Sequence, residues 1–169
     1  MTSRMLSEIA EQPEALRRTF AALLPRIGEI EALAAETRQV LFIARGSSDN
    51  AAVYGHYLLS ARAGRLASLA SPSLATVYGA DLDLHGVLAV AVSQSGATEE
   101  IVTTLRWARR CGARTVAVTN VAGSPLTEAA DVDTGLLLGA GWPFFLGGIT
   151  KHLDQTGFSE RVTGRRFAD

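Results

Sequence analysis

The sequence predicts an α/β fold, a three-layer α-β-α sandwich built on a parallel, doubly wound, flavodoxin-like sheet and preceded by N-terminal helices. Three observations predict it. Short apolar runs rich in Val and Ala recur at residues 39–44, 86–92 and 114–119, each with the length and composition of a strand buried on both faces. Every run stops at a cluster of small polar residues that contains a glycine: 45–50, 93–98 and 120–124. Helical spacing of apolar residues then resumes, and strands alternating with helices at this pitch form right-handed βαβ units.

The elements follow in order. Residues 3–12 read as a short helix, which Pro13 ends or from which it opens the next, because proline is tolerated at a first helical position. Leu16, Phe20, Leu23 and Leu24 give a second apolar stripe, and Ile27, Ile30 and Leu33 a third after Pro25. These helices precede any strand, so they are expected to serve as a lid or an interface. After the first strand, Gly46 permits a tight turn and Ser47 or Ser48 is expected to cap the next helix. Residues 65–70 read as a short strand, and Ser71-Pro72-Ser73 opens a short helix. The run 86–92 enters Ser93-Gln94-Ser95-Gly96-Ala97-Thr98 and a helix spaced by Ile101, Val102, Leu105 and Ala108, which Gly112 closes. The run 114–119, the loop 120–124, a helical turn at 126–130 and a last strand at 131–138 complete the pattern.

Composition bounds the function. With 169 residues the chain fits one domain with a substantial core, and 47% hydrophobic and 20% charged residues are those of a globular protein. A net charge of -1 gives no electrostatic case for nucleic acid or for an anionic membrane, and no apolar run is long enough to span a bilayer. The amphipathic, acid-bearing first residues do not read as a secretory signal. The single cysteine, Cys111, excludes an internal disulfide framework and fits a cytoplasmic localisation.

Near residue 141 the character changes. Four of the six Phe and the only lysine, Lys151, lie beyond it, and 139–148 has neither helical nor strand periodicity. The expected organisation is an N-terminal helical segment at 1–36, a ligand-binding domain at 37–141 and an atypical tail at 142–169. The break fits a tail under different selection or a change of reading frame.

The polar clusters carry the functional reading. A strand-to-helix turn presents unpaired N–H groups and a partial positive charge, and hydroxyls beside a glycine turn it into an anion cradle. Helix capping explains the same serines equally well at any one turn. Three such turns at the carboxyl edge of one parallel sheet, where ligands of this fold class bind, favour a polar, phosphorylated small ligand. His56, His85 and His152 are widely spaced and form no metal-ligand pattern with the lone cysteine. Asp81 and Asp83 read as turn formers, and Glu99 and Glu100 as acids favoured in a first helical turn, with Glu100 a candidate general base. No Gly-x-Gly-x-x-Gly or Walker-type loop occurs, which argues against a nucleotide.

Four segments together resemble the SIS (sugar isomerase) domain family: Met5-Leu6-Ser7-Glu8-Ile9-Ala10-Glu11-Gln12-Pro13, Ala44-Arg45-Gly46-Ser47-Ser48-Asp49, Ser93-Gln94-Ser95-Gly96-Ala97-Thr98 and Asn120-Val121-Ala122-Gly123-Ser124. The likeness spans about residues 5–141 and is greatest to the isomerase half of glucosamine-6-phosphate synthase and to glutaminase-free glucosamine-6-phosphate deaminase-like proteins. It implies that Ser93, Gln94, Ser95 and Thr98 hold the phosphate of a hexose 6-phosphate such as fructose 6-phosphate or glucosamine 6-phosphate. It implies that Gly46, Ser47 and Ser48 contact the sugar or phosphate, and that Val121 and Ser124 line the pocket. Catalytic acid/base residues come mainly from a second SIS domain or a neighbouring subunit in this family, so none is assigned here. No cofactor or metal is implied; the expected partners are the sugar phosphate and a second copy of the chain, with no nucleic acid or membrane. After Gly141 such proteins continue with an acidic residue and a Thr-Lys helix, whereas this chain has Trp142-Pro143-Phe144-Phe145, with Thr150-Lys151 near the expected place. Three readings stand: an isomerase or deaminase acting through an enediol-like state, a non-catalytic sugar-phosphate sensor, or a fragment lacking a second SIS domain.

Overall fold

Strand β3 (Val87–Val92) sorts its side chains by parity, and that parity builds the layers. Val87, Ala89 and Ala91 point to one face, where they pack with Ile101, Val102, Leu105, Trp107 and Ala108 of helix α5 (Glu99–Arg110). Leu88, Val90 and Val92 point to the other, joining Val40, Phe42, Val116 and Val118 against helix α3 (Ser47–Arg62). The computed structural model describes residues 4–133. In chain order it has α1 (Arg4–Leu23), a 3-10 turn (Leu24–Arg26), α2 (Ile27–Ala35), β1 (Gln39–Ile43), α3, β2 (Leu66–Leu69), α4 (Ser73–Thr76), β3, α5, β4 (Arg114–Val118), α6 (Pro125–Ala129) and β5 (Val132–Asp133).

The sheet runs β2-β1-β3-β4-β5, with every pairing parallel. Burial on both faces explains why β1, β3 and β4 read as unbroken apolar runs. The order reverses between β1 and β3, and this switch point opens a crevice at the carboxyl edge. Register places the loops level there: Ile43 pairs with Ala91, and Val92 with Val118. The predicted doubly wound sandwich is therefore the observed one.

Three local expectations are corrected, and a fourth reaches beyond the described residues. Helix α1 runs straight through Pro13, so the two predicted N-terminal helices are one. Proline forfeits one backbone hydrogen bond, at about 3 kcal/mol in a helix interior, and the helix-favouring residues on either side carry the helix past it. The cap of α3 is Gly46 rather than a serine, at φ 63° and ψ -133°, a conformation that glycine alone adopts readily. The helix therefore starts at Ser47, and Ser48 is buried in its first turn. Strand β2 is shorter than 65–70. β5 comprises Val132 and Asp133, and the remainder of the predicted last strand, with residues 142–169, lies outside the described residues.

Candidate functional site

Between β3 and α5 the chain turns within residues 93–98. Ser93 is 5% exposed, its N–H still donating to Val118 O at 3.0 Å, and its hydroxyl lies 3.4 Å from Thr98 Oγ1. Thr98 is the N-cap of α5, yet its side chain accepts no bond from the helix. The hydroxyl pair instead spans the mouth of the turn. Ser95 is exposed, and its Oγ accepts from Ala97 N at 3.3 Å. Gln94 and Thr98 are exposed as well. The N–H groups of Ser95, Gly96, Thr98 and Glu99 have no backbone partner among the described residues, as expected at a helix start. Hydroxyls and free amides converge there on the positive end of a twelve-residue helix.

Gly96 gives the turn its shape. It has φ +63°, and a methyl group there would lie 2.6 Å from Ser124 Cβ and 2.8 Å from Thr119 Oγ1, while striking Ser124 Oγ. The loop after β4 thus packs directly beneath the turn. Thr119 Oγ1 and Asn120 N both donate to Gln94 O at 3.2 Å, and Leu126 N donates to Gly96 O at 3.0 Å. Ser124, 3% exposed, caps α6 by accepting from Thr127 N at 3.5 Å, so its hydroxyl is used within the fold. Val121 lies outward, 46% exposed, on the same loop.

On the far side of the switch point, Gly46, Ser47 and Ser48 open α3, with Ser47 exposed and Ser48 buried. The structure thus brings Ser47, Ser93, Gln94, Ser95, Thr98 and Val121 to one sheet edge, and sets Ser48 and Ser124 into the packing behind it. Sequence reasoning missed Thr119, which reads as a strand terminus. It also missed the ion pair between Arg45 Nε and Glu100 Oε2 at 2.9 Å, which joins the β1 loop to the first turn of α5. Fifty-five residues separate that pair, so no local pattern could reveal it. Among the described residues no cluster of His, Cys, Asp and Glu could hold a metal, and no described helix is long and apolar enough to cross a membrane.

Bonds from the His85 ring, at 2.6 Å, and from His85 N hold the Asp83 carboxyl below the usual carboxylate range. It precedes β3, at the opposite edge of the sheet from the loops.

Known proteins share this sequence pattern and fold. Over 137 residues the chain is 41% identical to glutamine–fructose-6-phosphate aminotransferase [isomerizing] of Aeropyrum pernix, a match covering 80% of this chain and 22% of that protein. The chain thus spans about a fifth of the length of the curated relatives it matches. A Silicibacter pomeroyi DSS-3 structure, provisionally assigned as a phosphosugar isomerase, superposes with a TM-score of 0.75 at 31% identity, covering 96% of this chain and 56% of the other. The Vibrio vulnificus NanR protein, complexed with ManNAc-6P, has the same fold at a TM-score of 0.75 and 18% identity, covering 97% of this chain and 67% of that one. Residues 33–150 match the SIS domain, and the chain belongs to the SIS domain family.

Proposed function

We propose that this chain binds a hexose 6-phosphate at the β1/β3 switch point and contributes the phosphosugar-binding part of an isomerase of the aminotransferase or deaminase kind. One observation carries the reading: the hydroxyls of Ser93, Ser95 and Thr98 and the free amides of their turn meet at the start of α5, level with the Gly46 loop. Ser93, Gln94, Ser95 and Thr98 take the phosphate; Ser47 and Val121 face the sugar; Gly46, Ser48 and Ser124 fix the loops that present them. Such donors satisfy a phosphate without a metal ion.

Aldose–ketose isomerisation or deamination needs a base that removes the proton beside the carbonyl and returns it to the neighbouring carbon. Glu100 is the carboxylate of this edge that bridges the switch point, and Arg45 holds it in an ion pair. We therefore assign binding to the described residues and proton transfer to groups from elsewhere in the assembly. The assembly is a homodimer in the cytoplasm: Tyr57, Leu66, Val77 and Tyr78 are each about two-thirds exposed or more, apolar area suited to a second copy. Scattering from the purified chain should give twice the chain mass, and a monodisperse monomer refutes the dimer.

Calorimetric titration with fructose 6-phosphate and glucosamine 6-phosphate tests the binding. Wild type should bind one of them and Ser95→Ala about tenfold more weakly, the worth of one hydrogen bond to a charged group. A folded chain that binds neither sugar phosphate refutes the reading. Binding without isomerisation or deamination would favour a sensor over an enzyme.

A further inference from the structure

The proposed cradle is short of positive charge. Glu99 and Glu100 occupy the first turn of α5 and Asp49 that of α3, so the two helix starts flanking the crevice carry three carboxylates between them. Across the loops that follow β1, β2, β3 and β4, Arg45 is the only Lys or Arg. A phosphomonoester is a dianion near neutral pH, and helix N-termini alone offer it only partial charges.

We propose that Arg45 is the charged ligand of the phosphate, resting on Glu100 in the free protein and turning to the dianion when the sugar phosphate binds. The inference rests on the hexose-phosphate reading and names a contact which that reading does not need. Three observations carry it. Arg45 Nε meets Glu100 Oε2 at 2.9 Å, which draws the guanidinium across the switch point to the first turn of α5. Among the described residues its two terminal nitrogens make no hydrogen bond or ion pair, leaving a planar fork that matches two phosphate oxygens. The side chains are 60% and 36% exposed, and an ion pair that open to water is weak enough to be exchanged for a doubly charged partner.

The test is calorimetry with fructose 6-phosphate and, separately, inorganic phosphate, on wild type, Arg45→Met, Arg45→Lys and Glu100→Gln, each at low and high NaCl. Arg45→Met should weaken fructose 6-phosphate about tenfold and flatten the salt dependence, because a screened charge contact has been removed. Arg45→Lys should keep the salt dependence and recover part of the affinity, a point charge replacing the fork. Glu100→Gln should bind at least as tightly as wild type, since a carboxylate competing for the guanidinium is gone. Three results overturn the proposal: unchanged affinity in Arg45→Met, a loss with unaltered salt dependence, or parallel losses in Arg45→Met and Glu100→Gln, which would make the pair a brace between loops. In each of these, wild-type binding of fructose 6-phosphate still supports the hexose-phosphate reading. Failure of wild type to bind fructose 6-phosphate, glucosamine 6-phosphate and inorganic phosphate overturns both. Arg45-dependent binding of inorganic phosphate with binding of neither sugar phosphate would support the arginine and refute the hexose.

Discussion

Gly96→Ala tests whether the turn after β3 owes its shape to the loop beneath it. The substitution has two separable costs. Holding alanine at φ +63° costs about 1–2 kcal/mol, the ordinary penalty of a left-handed L-residue. The methyl would also strike Ser124 Oγ and lie 2.6 Å from Ser124 Cβ and 2.8 Å from Thr119 Oγ1, an overlap of the kind that costs about 1–3 kcal/mol in a packed interior. The sum is about 2–5 kcal/mol, against a total of about 5–15 kcal/mol for a typical domain. At about 2–4 °C per kcal/mol for a chain of this size, melting should fall by about 4–20 °C. Gly123→Ala is the control: its φ is +66°, but nothing lies within 4 Å of the added methyl, so it bears the first cost alone. Any gain from stiffening the unfolded chain is common to both and cancels in the difference. Ser124→Gly should cost a few tenths of a kcal/mol as a cap change and, combined with Gly96→Ala, recover about 1 kcal/mol. Urea unfolding of the four variants decides. Equal losses at Gly96 and Gly123, or strict additivity with Ser124→Gly, would refute the packing argument.

Three further outcomes are expected. Thr119→Val keeps the shape of a fully buried side chain but removes the donor to Gln94 O and the acceptor for Val121 N; it should cost about 1–3 kcal/mol in urea and weaken sugar-phosphate binding by displacing Gln94. Trp107→Phe deletes the bond from Nε1 to Ala80 O at 2.7 Å within the α5 core, so denaturation should show a loss of about 1–3 kcal/mol; a neutral result would mean that the carbonyl finds water. Because the folded-state pKa of Asp83 is depressed, its contribution is present above the model-peptide value of 3.8 and is lost as pH falls through the folded value, so the carboxyl carbon in NMR should titrate below 3.8. His85→Ala should return that midpoint to the ordinary range.

Much of this architecture was legible because burial on two faces leaves a plain mark on a sequence. The runs at β1, β3 and β4 are apolar without alternation, and the Ser93–Thr98 turn stands out because polarity switches abruptly between Val92 and Ser93. The edge strands were harder. Leu66 and Leu69 of β2 are exposed, so the strand lacks the strong pattern of its neighbours. Pro13 misled because proline usually marks a boundary, whereas here α1 accepts the lost bond. At the site, residue types were readable and pairings were not: the serines announced a turn, but that Ser124 supports Gly96 and that Arg45 reaches Glu100 are consequences of strand order. The serine caps expected at α3 fail for the reason that makes the loop useful. Gly46 assumes the capping position and frees Ser47 from it.

The bonding of Gln94 O has a mechanical consequence. One carbonyl takes both Thr119 Oγ1 and Asn120 N, and Gly96 O takes Leu126 N, so the loops after β3 and β4 are riveted into a single jaw. The loop after β1 is the opposing jaw, and the Arg45–Glu100 pair is the side-chain link described between them. Adjustment to a ligand then concentrates along one line, the seam between β1 and β3, while the donors of Ser93, Ser95 and Thr98 keep their mutual spacing. In the proposed binding mode the phosphate end of the crevice is a fixed gauge, and the sugar end takes up the slack.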